Sequence, residues 1–240
     1  MFGDRARYGK IPIPGDKDWE AWKRAFVDVY YETQKQSVGA LSNEWGYSVM
    51  SRLDLTGKHV IEIGPGQIEH MRHWKGKPAS YTVVDVEQQF TETAARQLSG
   101  MGVDCDSVVV GTPAHEQLMS SREAFDVMVS FYAFEHIHPL EEALSPTFDL
   151  LKRGGALIGG IPAEGGLAWG VGRFLTTRRM AYGRLGIDYD KVICWEHVNY
   201  ASDVLNFLTA HLEPVGVWFH PFRLPIIDIN AIISFMYRRP

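Results

Sequence analysis

The chain has 240 residues, enough for one large α/β domain with a full core. Hydrophobic residues at 45% and charged residues at 22% are ordinary globular composition and exclude disorder as the main state. The formal charge of −5 argues against a generic nucleic-acid binder, and Cys105 and Cys194, far apart and without ligand spacing, read as buried free thiols.

No apolar stretch follows the opening Met-Phe-Gly-Asp-Arg, and the longest apolar runs, near 127–134 and 231–237, fall far short of the ~20 residues of a membrane span. A cytoplasmic protein without a membrane span is therefore expected. The prolines of Ile-Pro-Ile-Pro-Gly argue against helix in the first 16 residues. Trp19, Trp22, Phe26, Val29 and Thr33 then recur at helical spacing, as do Leu41, Trp45, Val49 and Leu53. The first set reads as core packing, with Tyr30 and Tyr31 within reach of a cleft. Residues 1–54 are thus expected to form an N-terminal helical cap.

A strand–helix alternation follows. Short β-branched runs at 59–63, 81–84, 107–110, 126–131 and 156–161 are mostly apolar on both faces, as parallel strands covered by helices require. Helical stretches separate them near 69–74, 88–98 and 140–151, so 55–162 reads as an open doubly wound sheet carrying a ligand. Lys152-Arg153-Gly154-Gly155 reads as a helix stop. Beyond 162 a long insertion carries many glycines with Arg173, Arg178, Arg179 and Arg184. A helix capped by Ser202 and strands near 215–219 and 232–237 then close the region 163–240. One domain is the simplest account.

His59-Val60-Ile61-Glu62-Ile63-Gly64-Pro65-Gly66 is an apolar strand entering a Gly-x-Gly turn, where the backbone can pass close to a ligand. A helix after it would aim free N–H groups at an anionic group. About 20 residues on, Asp85 ends a second strand, where a carboxylate can accept both hydroxyls of a ribose. A dinucleotide site would want glycine where Glu69 stands, and a carboxylate beside a diphosphate is unfavourable.

These segments resemble the class I S-adenosylmethionine-dependent methyltransferases over residues 55–162. Val60–Gly66 is similar to their first motif and Asp85 to their ribose-binding acid. Phe125–Phe131 followed by Glu135-His136 is similar to their fourth strand and its outgoing loop. Leu151–Ile158 is similar to their "LKPGG" turn, with Arg153 replacing proline. The resemblance implies a mostly parallel seven-stranded sheet with an antiparallel last strand. It implies cofactor contacts from Glu62, Gly64, Pro65, Gly66, Asp85, Val86, Thr112, Pro113, Ser130 and Phe131. The family often has an acid after the third strand to bind the adenine amine. Here Thr112 or a backbone carbonyl would have to serve.

Methyl transfer to an alcohol needs a base or a metal, whereas an amine needs only to arrive neutral. The loop after strand four faces the reacting centre of such a sheet and carries Tyr132, Glu135, His136 and His138. His136 is the first candidate base, with Glu135 and His197 beside it. Glu196-His197 forms a second Glu-His pair. Were the two pairs to converge, a Mg²⁺ or Mn²⁺ site would be open to them. The arginines of 173–184 read first as a solvated basic face. The sharper reading makes Arg178 and Arg179, with Tyr132 and Glu196, the acceptor's binding residues. The expectation is O-methylation of a sugar-like or other polyhydroxylated small molecule. N-methylation, or an inactive methyltransferase-like binding module, is the alternative. A nucleic-acid substrate is disfavoured, and the oligomeric state is open, a homodimer included.

Overall fold

A computed structural model describes residues 3–25 and 38–240. The strands are β1 (His59–Ile63), β2 (Ser80–Asp85), β3 (Cys105–Val109), β4 (Phe125–Phe131), β5 (Leu151–Pro162), β6 (Glu213–His220) and β7 (Ile232–Arg238). They form one sheet in the order β3-β2-β1-β4-β5-β7-β6. The first five run parallel, and β7 lies antiparallel to both β5 and β6. Strand order reverses between β1 and β4, the switch point at which open α/β sheets hold their ligands.

Alternate side chains of a strand point to opposite faces, and here both faces are apolar. Ile61, Met128, Leu157 and Phe235 join one core with Val204 and Leu208 of the helix Ala201–His211. Val60, Val127, Val129 and Ile158 join the other with Ala94 and Leu98 of the helix Gln88–Gly100. Residues 17–25 are helical and pack on the helix Tyr189–Glu196 of the long insertion, Trp22 against Tyr189 and Trp19 against Trp195. The aromatic residues at 19 and 22 are core, as expected. Phe26, Val29, Tyr30, Tyr31 and Thr33 lie outside the described residues.

Several boundaries differ from expectation. Arg5–Tyr8 is a helical turn despite the prolines downstream, because Asp4 caps it by accepting from the Arg7 N–H at 3.0 Å. The helix Val38–Tyr47 hands over to a 3₁₀ segment at Ser48–Arg52. Only a 3₁₀ turn, Glu69–His73, follows the Gly-x-Gly loop, so no α-helix aims its N-terminus there. The segment 140–151 divides into Leu140–Leu144 and a 3₁₀ stretch Ser145–Leu150, Pro146 standing where an amide donor would continue the α-helix. Lys152–Gly155 is not a helix stop. Phe125 pairs with Leu151 and Val127 with Ala156, so residues 152–155 bulge out of β5, with Gly154 at φ +72°. The late helix starts at Ala201 rather than beyond Ser202, and Asp203 accepts the Tyr200 N–H at 3.0 Å.

Candidate active site

The carboxyl ends of β1, β2 and β4 meet at the switch point. Gly64 (φ +69°) and Gly66 (φ +48°) occupy left-handed backbone, and a Cβ on Gly64 would collide with that of Ala133. The Gly64 N–H donates to the Val84 carbonyl at 2.9 Å, and the Ser130 hydroxyl to the Ile63 carbonyl at 3.0 Å. The end of β1 is thereby tied to both neighbouring strands. Pro65 and Gly66 are buried, as is Phe131, which packs on Tyr47.

Asp85 closes β2 and accepts from the Glu87 N–H at 2.9 Å. Burial pushes its carboxyl up to about 6, the mark of an acid with too few donors around it. Val86 beside it is 70% exposed, an apolar side chain left bare next to that acid. Thr112 caps the helix Pro113–Ser120, its hydroxyl donating to the Val109 carbonyl at 2.7 Å and accepting from the His115 N–H. Pro113 fills the first helical position, where no donor is required.

Glu62 lies beneath this loop, 1% exposed. One carboxylate oxygen takes the Nε2–H of His70 at 3.0 Å and the other the Tyr81 hydroxyl at 2.7 Å. The Trp74 indole donates to His70 Nδ1 at 3.0 Å, which fixes the tautomer. Burial, then the Glu62 charge, pushes the Tyr81 phenol well up, so it stays a donor. Glu62, expected at the cofactor, thus holds the 3₁₀ turn under the glycine loop.

Past β4 the backbone tightens. Tyr132 takes φ +55°, unfavourable for an aromatic residue, and its hydroxyl donates to the Asn43 carbonyl at 2.9 Å. The 3₁₀ turn Phe134–His136 then presents Glu135 and His136. Glu135 is 3% exposed, and its Oε2 has no hydrogen-bond partner among the described residues. Burial pushes its carboxyl up to about 7.

His136 Nδ1 lies 2.7 Å from the Glu196 carbonyl. A carbonyl only accepts, so Nδ1 carries the proton and Nε2 of the neutral ring keeps its lone pair. That nitrogen is 3.9 Å from Glu135 Oε1. Burial, with the neighbouring His197 charge, holds His136 down to about 3, yet 36% of its side chain is accessible. The ring thus stands accessible just past the carboxyl end of β4, the edge at which open α/β sheets hold their ligands.

The His197 ring meets His136 edge-on, with centroids 4.7 Å apart. Burial opposes its charge, but a 2.8 Å bond from Nδ1 to Glu164 Oε2 raises its pKa. Glu164 stands two residues past β5 and also accepts from the Trp169 indole at 2.9 Å and from the buried Arg173 guanidinium. Burial opposes that charge too, yet His197 and Arg173 hold the carboxyl well below its usual range. Arg5 of the N-terminal turn lies 3.9 Å from the other Glu164 oxygen. Glu196 completes the group, raised by burial and taking the Tyr189 hydroxyl at 3.1 Å.

Residues 61–159 match the family described as a methyltransferase domain. The chain carries a class I S-adenosylmethionine-dependent methyltransferase domain. A solved structure of the N-methyltransferase NodS from Bradyrhizobium japonicum, in complex with S-adenosyl-L-homocysteine, is 17% identical with a TM-score of 0.56, covering 94% of this chain and all of that one (100%). The [4+2]-cyclase SpnF is 14% identical with a TM-score of 0.58 and coverage of 96% and 98%. A geranyl diphosphate methyltransferase in complex with SAM is 12% identical, with a TM-score of 0.52 and coverage of 99% and 96%. At these identities the likeness is one of fold. No curated protein matches the chain significantly.

In this methyltransferase the two Glu-His pairs do converge. Among the described residues, however, no three His, Cys, Asp or Glu side chains are grouped to hold a metal ion. Arg173 is not part of a solvated basic face, being buried against Glu164. Arg178 directs its guanidinium at Asp190 (2.9 Å), so its charge is already balanced, while Arg179 is exposed. Sequence reading missed Glu164, although an acid just past the carboxyl end of a parallel strand is itself a site signal. It missed His70 as well, whose role depends on the pairing of β1 with β2.

Proposed function

We propose that this methyltransferase acts on a hydroxyl of a small polyhydroxylated molecule, with His136 as the base. The observation that carries the reading is the open Nε2 of a neutral histidine just past the carboxyl end of β4, its other nitrogen pinned to the Glu196 carbonyl. S-adenosylmethionine supplies a methyl group on a sulfonium, already a good leaving group. The chain must bind and orient, exclude water and take one proton. The Gly64–Gly66 turn lets backbone approach the methionine part, and Pro65 keeps that turn stiff. Ser130 and Phe131 fix its far wall. The Asp85 carboxylate accepts the ribose hydroxyls it lacks as donors, and Val86 covers the adenine face. Because the Thr112 hydroxyl is engaged, backbone groups between Val110 and Pro113 take the adenine edge. As the acceptor O–H breaks, its proton passes to His136 Nε2. Ionised Glu135 at 3.9 Å stabilises the imidazolium that forms.

One observation favours a second reading. The unpartnered Glu135 Oε2 would accept an N–H of a neutral amine and leave its lone pair free for the methyl group, which fits a small amine as acceptor. Calorimetric titration with S-adenosylmethionine, followed by methyl incorporation into matched panels of polyols and amines, separates the two. Asp85→Ala should weaken cofactor binding by about tenfold or more, the loss of charged hydrogen bonds. Unchanged binding would remove Asp85 from the cofactor site. Turnover confined to amines would replace the first reading by the second.

A further inference from the structure

Two segments at the carboxyl edge of the sheet display large apolar side chains to solvent. The helix Leu167–Leu175, entered directly from β5, exposes Leu167, Val171 and Leu175 at i, i+4 and i+8, one stripe of an amphipathic helix. The β6–β7 loop exposes Phe222, Leu224 and Ile226 at every second residue. It reaches the same edge, because Ile232 at the start of β7 pairs with Pro162 at the end of β5. The two segments touch, the Leu167 N–H donating to Asp228 at 3.3 Å.

The loop is built to present these residues. Fully buried Asn230 donates to the carbonyls of Leu224 (2.9 Å) and Ile226 (2.7 Å) and accepts the Phe222 N–H at 3.0 Å. A polar core side chain thus holds an apolar loop outward, against the hydrophobic effect. Charge narrows the choice of partner. In a chain of net charge −5, residues 165–187 contain no acid; Arg173 is buried against Glu164 and Arg178 is paired with Asp190, while Arg179 and Arg184 are exposed. Arg179 beyond the helix and Arg223 between Phe222 and Leu224 are both exposed, and Asp228, also exposed, is the acid of the loop.

We infer that this edge docks on an anionic lipid surface, with the helix Leu167–Leu175 and the 222–226 loop entering the headgroup layer. Apolar side chains interleaved with arginines suit both parts of such an interface. A second copy suits it less, since a two-fold axis would set each arginine patch against its own image. The inference does not rest on the acceptor reading above. Docking would place the cleft mouth against the membrane, because both segments stand at the strand ends that frame it.

Co-sedimentation of the full chain with vesicles of phosphatidylcholine, with and without phosphatidylglycerol, tests the inference without any activity readout. The chain should partition onto the phosphatidylglycerol vesicles and release as salt rises. Phe222→Ser with Leu224→Ser should weaken partitioning more than about tenfold. Arg179→Gln and Arg223→Gln should each weaken it about fivefold, with the apolar residues left in place. Failure to bind either vesicle, or binding that these substitutions leave unchanged, would overturn the inference. So would a dimer in light scattering that the same substitutions dissociate, because the surface would then belong to a second copy.

Discussion

Glu62 and Glu135 are both buried carboxylates beside a histidine, each within a few residues of the carboxyl end of a central strand. They differ in what surrounds them. Both Glu62 oxygens are satisfied, by His70 and Tyr81, and Trp74 closes the network from behind. Glu135 leaves Oε2 without a partner among the described residues, and its histidine turns away to the Glu196 carbonyl. A satisfied network fixes a loop. An unsatisfied one costs stability and persists where something else is to bind. On the proposed function, this contrast makes Glu62 part of the scaffold and Glu135 part of the chemistry.

The largest effect should come from breaking the satisfied side. Glu62→Ala strands the His70 N–H and the Tyr81 hydroxyl in a dry core, costing about 3–5 kcal/mol. For a chain of this size the midpoint should fall by about 10 °C in a thermal melt. A loss near zero would mean that water replaces the carboxylate and that the loop does not depend on it. Next, His136→Asn keeps a donor for the Glu196 carbonyl and removes the open nitrogen. With a hydroxyl acceptor, kcat should fall about 100- to 1000-fold while the Kd for S-adenosylmethionine is unchanged. An equal loss in cofactor binding would make His136 a binding residue. A kcat within twofold of the parent would end its role as base.

Much of this architecture was legible in the residues. The apolar runs located β1, β2, β4 and β7 to within a few positions, since a doubly covered strand has nowhere to hide a polar side chain. Gly64, Gly66 and Asp85 were legible because backbone conformation and strand ends restrict residue type locally. The helix boundaries were less so. At Arg5–Tyr8 a single cap outweighed the prolines, and at 145–150 one proline turned an α-helix into a 3₁₀ stretch. Glu164, Arg173 and His70 were hidden for another reason. Each is defined by a partner eight or more residues away that only the fold brings to it, and a charged residue is read as solvated until that partner is known. The convergence of Glu135-His136 with Glu196-His197 likewise depends on the turn Phe134–His136 meeting the end of the helix Tyr189–Glu196.

The smallest predicted effect is the sharpest test of the contrast, because its sign is unusual. The Glu135 carboxyl sits at about 7 in the folded chain, above its ordinary value near 4.5. The folded state therefore binds more protons than the unfolded one between those values, and its stability falls as pH rises through that window. Gln at the same position carries no such dependence. Glu135→Gln should leave the melting temperature little changed at pH 5 and raise it at pH 8, by an amount corresponding to at most about 3 kcal/mol. The same substitution should lower kcat and abolish a rise in rate through pH 7, because ionised Glu135 no longer supports the charge forming on His136. Higher stability together with lower activity is what a carboxylate retained for chemistry predicts. Lower stability at pH 8 would instead place Glu135 with Glu62, as a second anchor whose partner lies in the neighbouring residues.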